Sequence, residues 1–350
     1  MDDDGQLADL ANKVANYTNV NDTTFDELNV LIAGSVSFIF NSILIYATIK
    51  TKIFSDSARK MQIFSCILRL TFSLIVVLCS PTLAHIEEAK AVYIVKGGYS
   101  LPIWIGECFL VAFLTFVIFS CMGPPAQFIQ TCLIIKKSHN TAHSQNKMFI
   151  VTTVFTMILT IIGAYLVIYG YLPDEDDDRL SREVVYYLNG KGTAAYLIAS
   201  TDKYDYNTHQ FEPDHKTWIC TCYIISIFIL STIIVSVCYY LIQSQRKKKA
   251  MSVSSSKSHK QLNRILLVQF ALPFFTIHIP FYVTFVAPLI DLDTDELSIW
   301  FPFLFSWCPA LNPILVMIVV KSIREKVLLV RTVSKRFSSM QFSSKKSNNK

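Results

Sequence analysis

The sequence predicts an all-α membrane protein: a bundle of seven transmembrane helices with the N-terminus extracellular and the C-terminus cytoplasmic. Three observations predict it. The mean hydropathy is +0.40, seven apolar runs are each close to the roughly 20 residues that a helix needs to span about 30 Å of hydrocarbon, and the segments between those runs alternate in charge. Of the 350 residues, 52% are hydrophobic and 17% charged, well below the charged share of soluble domains. With 25 Phe and 16 Tyr but 10 Gly, the apolar content suits long helices and argues against a pair of soluble domains.

Every backbone polar group inside lipid must be satisfied within its own segment, so the apolar windows read as helices. They cover approximately residues 30–49, 61–83, 101–123, 148–171, 217–242, 265–290 and 297–320. Residues 1–28 form an acidic arm without an apolar run, so the first hydrophobic segment is expected to direct its own insertion. In the third window Pro124-Pro125 should end or kink a helix, yet the chain stays mostly apolar to Ile135; the helix either bends there or is unusually long.

Lys and Arg accumulate in short cytoplasmic loops, which tests the count independently. The arm holds seven acids against Lys13, the first loop (Lys50, Lys52, Asp56, Arg59, Lys60) is net positive, and the second balances its charges. Lys136, Lys137 and Lys147 make the next loop basic, and residues 172–216 are acidic. The loop after the fifth span carries Arg246, Lys247, Lys248 and Lys249, while Asp291, Asp293, Asp295 and Glu296 precede the seventh span and a basic tail, 321–350, comes after it. An odd number of crossings satisfies every sign. Asn16 and Asn21 head two Asn-X-Thr sequons in the arm, where an outside location would expose them to glycosylation.

Nine cysteines lie almost entirely within apolar runs and lack the spacing of a zinc site or disulfide framework. They read as small core side chains, and neither metal nor cofactor is expected. Two charges interrupt the apolar runs, Arg69 in the second and Glu107 in the third. Intramembrane charges mark ligand or switch sites when they face the bundle interior; the competing reading has Arg69 snorkelling and Glu107 wet at the interface. His278 lies mid-span between Pro273 and Pro280, either at a ligand or hydrogen-bonded in the core.

In the long outer loop, residues 183–188 and 193–198 flank Asn189-Gly190, a hairpin signal, although the alanines are equally compatible with a short helix. The run 174–178 of Asp and Glu reads as a solvated face. Residues 243–264 mix basic side chains with Ser252, Ser254, Ser255, Ser256 and Ser258, suited to a phosphorylation-sensitive docking site. Ile323, Val327 and Val330 recur at helical spacing in the tail, as in a helix lying on the membrane surface.

The last third of the chain carries a specific pattern: Lys260-Gln261-Leu262, then Gln269-Phe270-Ala271-Leu272-Pro273, Pro280, Trp307-Cys308-Pro309-Ala310-Leu311-Asn312-Pro313 and Arg324. In order and spacing this resembles the sixth and seventh helices of the Str superfamily of nematode serpentine chemoreceptors, over about residues 260–325, with Asn41 in the first span in keeping. The resemblance implies a G-protein-coupled chemoreceptor of the plasma membrane or a sensory ciliary membrane. Its partners would be a heterotrimeric G protein, an odorant or pheromone of small size and membrane lipid, but no nucleic acid. A ligand pocket is then expected between the outer halves of helices three, five, six and seven, lined by Glu107, His278, Tyr282 and Trp307. Pro273, Pro280, Asn312 and Pro313 would let helices six and seven bend, and Arg246 to Lys249 would face the G protein.

The chain departs from its relatives in three places. The third span ends Met122-Gly123-Pro124-Pro125-Ala126-Gln127 where many relatives have an aromatic-Arg-aromatic motif. Val316 stands where a tyrosine succeeds Asn-Pro in rhodopsin-like receptors. Those receptors tie the third helix to the long outer loop by a disulfide, but residues 172–216 contain no cysteine; a Cys108–Cys220 bridge is the candidate for that tie. A transporter or channel is the rival reading, but no internal repeat or polar pore lining is visible, and a membrane enzyme lacks any convergent catalytic motif.

Overall fold

A computed structural model of the chain describes residues 23–50, 56–86, 91–97, 101–136, 142–173, 182, 185–186, 194–200, 202–205, 210–248, 253–286, 300–320 and 324. Among them, seven helices are long and apolar enough to cross a membrane. They are α1 (Thr23–Lys50), α2 (Asp56–Cys79), α3 (Ile103–Lys136), α4 (Ala142–Tyr171), α5 (His215–Lys248), α6 and α7 (Phe301–Val319). We treat as α6 the helix Val253–Pro273, the π-helical turn Phe274–His278 and the helix Ile279–Val286. The π turn closes through the Ile279 amide onto the Phe274 carbonyl, a register shift of the kind that absorbs a local break in the helical ladder.

Most helices outrun their apolar windows into polar flanks. The second does so only at its start, from Asp56, because Pro81 disfavours helical backbone at the residue before it. Ser80 adopts a φ of 39°, donates its amide to the Val76 carbonyl at 2.8 Å, and ends α2 at Cys79, short of the expected residue 83. Pro124 and Pro125 do not end the third helix: α3 runs through them as a single 34-residue element.

Beyond Ser80 the chain turns to strand. β1 (Pro81–Ile86), β2 (Ala91–Lys96) and β3 (Tyr196–Ser200) form an antiparallel sheet in the order β1-β2-β3, with Pro81 opposite Lys96 and Val95 opposite Tyr196. β4 (Asp202–Asp205) and β5 (Gln210–Pro213) form a separate hairpin. The outer-loop hairpin expected from residues 183–198 is therefore corrected. Its second arm is a strand, but it pairs with β2, and the described residues of its first arm, Val185 and Tyr186, are helical. The reason is burial: Val92, Tyr93, Ile94 and Val95 of β2 are all buried, so this strand must be paired on both edges. The Asn189-Gly190 turn lies outside the described residues.

The sheet roofs one end of the bundle. α3 approaches it so closely that a Cβ on Gly106 would lie 2.4 Å from the Ala195 Cβ. Beneath, Phe113, Leu114 and Val117 of α3 pack with Phe72 of α2, Ile224 of α5, Phe281 of α6 and Phe305 of α7 in one core. A smaller cluster, including Leu44, Cys66, Ile265 and Val316, joins α1, α2, α6 and α7 at the opposite end. Ile150, Val154, Phe155, Ile158 and Ile161 leave α4 apolar and exposed on its outer side, as lipid requires of a helix that is hydrophobic all round.

All nine cysteines are free, which corrects the Cys108–Cys220 bridge. Cys108 is exposed on α3, whereas Cys220 is buried against α4, where a Cβ on Gly170 would come within 2.9 Å of its Cβ.

Candidate functional site

Proline organises the interior. A proline lacks the amide that would bond the carbonyl four residues earlier, and in lipid that carbonyl needs another donor. Pro313 releases the carbonyl of Pro309, and the Asn41 side chain of α1 donates to it at 3.1 Å. Pro125 releases the carbonyl of Cys121, which accepts from the Ser231 hydroxyl of α5 at 2.7 Å. Pro124 likewise releases the carbonyl of Ser120, which lies near the His278 ring of α6. Two breaks in helix ladders thus become two bonds between helices.

Asn41 stands in a larger polar chain. It also donates to the Ser37 carbonyl at 2.9 Å, its Oδ1 accepts from Arg69 Nε at 3.1 Å, and the Ser37 and Ser73 hydroxyls meet at 2.6 Å. The chain links α1, α2 and α7 at the level of the Asn312-Pro313 break. On the other side of the bundle, Phe228 of α5 gathers rings from α6. Tyr282 stacks on it at 4.3 Å, Phe274 at 5.5 Å, and His278 lies tilted at 6.1 Å. The Tyr282 hydroxyl donates to the Ile224 carbonyl at 2.9 Å. His278 is 3% exposed and its Nδ1 has no partner among the described residues, so that nitrogen is one that an incoming donor would satisfy.

Of the four residues expected to line a ligand pocket, the structure brings His278 and Tyr282 together through Phe228. Glu107 is half-buried in the second turn of α3 at the sheet end. Trp307 turns towards α1, where its Nε1 donates to Asn29 Oδ1 at 2.8 Å. Pro273 and Asn312 line an internal cavity nearer the opposite end, and Pro280 lies just past the π turn. Arg246, Lys247 and Lys248 fall in the last turns of α5, at the end away from the sheet. Asn16, Asn21, Lys249 and the tail helix expected from Ile323, Val327 and Val330 lie outside the described residues, apart from Arg324. Among the described residues, no three His, Cys, Asp or Glu side chains converge on a metal-sized site.

The family described as "Serpentine type 7TM GPCR chemoreceptor Str" matches residues 29–328. The chain belongs to the Str chemoreceptor family. It is accordingly a multi-pass membrane receptor of the G-protein-coupled class. Among solved structures, this Str-family chain is similar to the crystal structure of squid rhodopsin, with a TM-score of 0.54 and 17% identity over 89% of this chain and 84% of that one. That likeness concerns the fold. Among curated proteins, no sequence matches this chain.

Sequence reasoning missed Ser231, Ser37, Ser73 and Asn29 as structural partners. For Ser231 and Asn41 a signal existed: counting back four residues from Pro125 and Pro313 marks Cys121 and Pro309 as carbonyls in need of a donor. Which donor reaches each is decided by helix neighbours, which one-dimensional spacing does not contain.

Proposed function

We propose that the chain is a chemosensory receptor of the plasma membrane, with the sheet end extracellular, which binds a small external molecule and signals through a Gα subunit at the opposite end. The family match over residues 29–328 carries this reading. The bundle supplies suitable moving parts. Pro273, the π turn and Pro280 make α6 deformable, and Asn312-Pro313 does the same for α7. A ligand reaching Phe228, His278 and Tyr282 would press on the α6 side chain that lies near the Ser120 carbonyl of α3, coupling an α6 shift to α3. Glu107, at the sheet end, would meet the ligand on entry. Trp307 would act through Asn29, holding α7 to α1. Arg246, Lys247 and Lys248 end α5 on the side read as cytoplasmic, and with Lys249 next in sequence this basic segment suits an acidic partner surface.

The test is expression in cells with calcium or cyclic-nucleotide readout against an odorant and pheromone panel. A response is expected from the native receptor, reduced at least about tenfold in potency by His278→Phe or by replacing Arg246 to Lys249 with Gln, with surface expression unchanged. Signals indifferent to the basic segment would remove the coupling site, and tags at both termini reached from one face of intact cells would overturn the reading.

A further inference from the structure

The seven-helix bundle holds a cavity of about 130 Å³ in the half away from the sheet, between α2, α3, α4, α6 and α7. That is room for about four water molecules, more than the scattered voids that close packing leaves. None of Glu107, His278, Tyr282 and Trp307 lines it. Arg69 does, and Arg69 is the central residue of the span Arg59–Cys79, about 15 Å along the helix from either end. Its Nε donates to Asn41 and one Nη to the Cys66 sulfur. Among the described residues, Nη1 makes no hydrogen bond and no carboxylate reaches the guanidinium. Glu107 is nine residues from Phe116, the nearest cavity-lining residue of α3, about 13 Å away along the helix.

Two further observations point into the same space. Gln269 and Asn312 line the cavity, are 5% and 2% exposed, and each leaves its side-chain oxygen without a partner among the described residues. The remaining wall is mainly apolar, with Phe64 and Leu68 of α2 facing Phe149 and Thr153 of α4. α2 and α4 both pack on α3 and scarcely on each other, so the gap between them faces the lipid side of the bundle. An arginine at membrane depth without a counter-ion is costly and marks a site. A hydrated inorganic ion does not suit an apolar wall, and a neutral hydrocarbon leaves the guanidinium and both oxygens unmet.

We propose that this cavity is a second ligand site, distinct from the chemosensory one, which takes an amphiphile with an acidic head group, a carboxylate or phosphate on an apolar chain, entering between α2 and α4. The head pairs with Arg69, a charge-assisted bond stronger than a neutral one. Its shell of water or hydroxyls donates to Gln269 and Asn312, and the chain lies along Phe64 and Leu68. Occupancy would brace α2 against α7 through Asn41, whose own bonds run to Arg69 and Pro309.

Purified full-length receptor in nanodiscs tests this by thermal unfolding, with the nine free cysteines as reporters for a thiol-reactive dye. Oleate is expected to raise Tm by several degrees, while oleyl alcohol and acetate at equal concentration do not. Arg69→Gln should weaken the oleate effect at least about tenfold, with Arg69→Lys retaining part of it. A second variant keeps the arginine: a Cβ on Gly123 meets nothing within 4 Å and Gly123 lines the cavity, so Gly123→Leu has room to start into the space and should abolish the shift. An oleate effect surviving both Arg69→Gln and Gly123→Leu, or matched by oleyl alcohol or acetate, would overturn the proposal.

Discussion

Asn41 of α1 donates to the carbonyl of Pro309 in α7 at 3.1 Å, and that carbonyl is free because residue 313 is a proline. The bond is therefore a repair as well as a contact: it satisfies in trans what the helix cannot satisfy in cis. The same logic joins Ser231 to Cys121.

Replacing Asn41 with Ala strips the donor from Pro309 and the acceptor from Arg69, and should destabilise the receptor by about 2 kcal/mol. In a Pro313→Ala background the residue 313 amide closes the ladder onto residue 309, so part of that cost disappears. A double-mutant cycle by thermal or denaturant unfolding should show a coupling of about 1 kcal/mol; strict additivity would show that the repair is not needed.

Ser231→Ala is expected to cost about 1 kcal/mol, because the Cys121 carbonyl is buried and Pro125 cannot bond it. Pro125→Ala combined with Ser231→Ala should cost little more than Pro125→Ala alone. Equal Ser231→Ala penalties in both backgrounds would contradict the account.

The roof depends on Gly106. A methyl there would sit 2.4 Å from the Ala195 Cβ and 3.0 Å from Lys96 Cδ, so Gly106→Ala should destabilise by about 1–3 kcal/mol through overpacking and raise hydrogen exchange in β3. Adding Ala195→Gly removes the worst contact and should recover most of the loss.

Lys96, in the sheet, is buried and donates to the Gly97 carbonyl at 3.0 Å. Burial holds its amine below the ordinary 10.5, with Cys79 and Glu27 pulling the other way. Below the folded value both states carry the proton and the full cost of the buried charge stands. Between that value and 10.5 the unfolded chain binds more protons than the folded one, so stability rises with pH. Lys96→Met should accordingly raise Tm by about 2 °C at pH 7, and the gap to the native receptor should close as pH approaches 10.5. A gap that widens with pH would refute the sign.

The sequence marked Pro273, Pro280 and Asn312-Pro313 as candidate bends of α6 and α7, and Arg69 and Glu107 as charges in apolar runs. It could not tell that Arg69 faces a cavity, that Trp307 turns from the bundle axis to Asn29, or that α3 passes Pro124-Pro125 unbroken. Each of those outcomes depends on a group from a neighbouring helix.

The number and order of the helices were determined by the sequence by itself, because in an apolar solvent each span must satisfy its own backbone and therefore declares itself over about 20 consecutive residues. Only the tertiary structure decided that β3 pairs with β2, that Cys108 and Cys220 stay apart, and which side chains answer the carbonyls the prolines release. Those are matters of which surfaces meet, and residues as far apart in the chain as Asn41 and Pro309 leave no local trace of meeting.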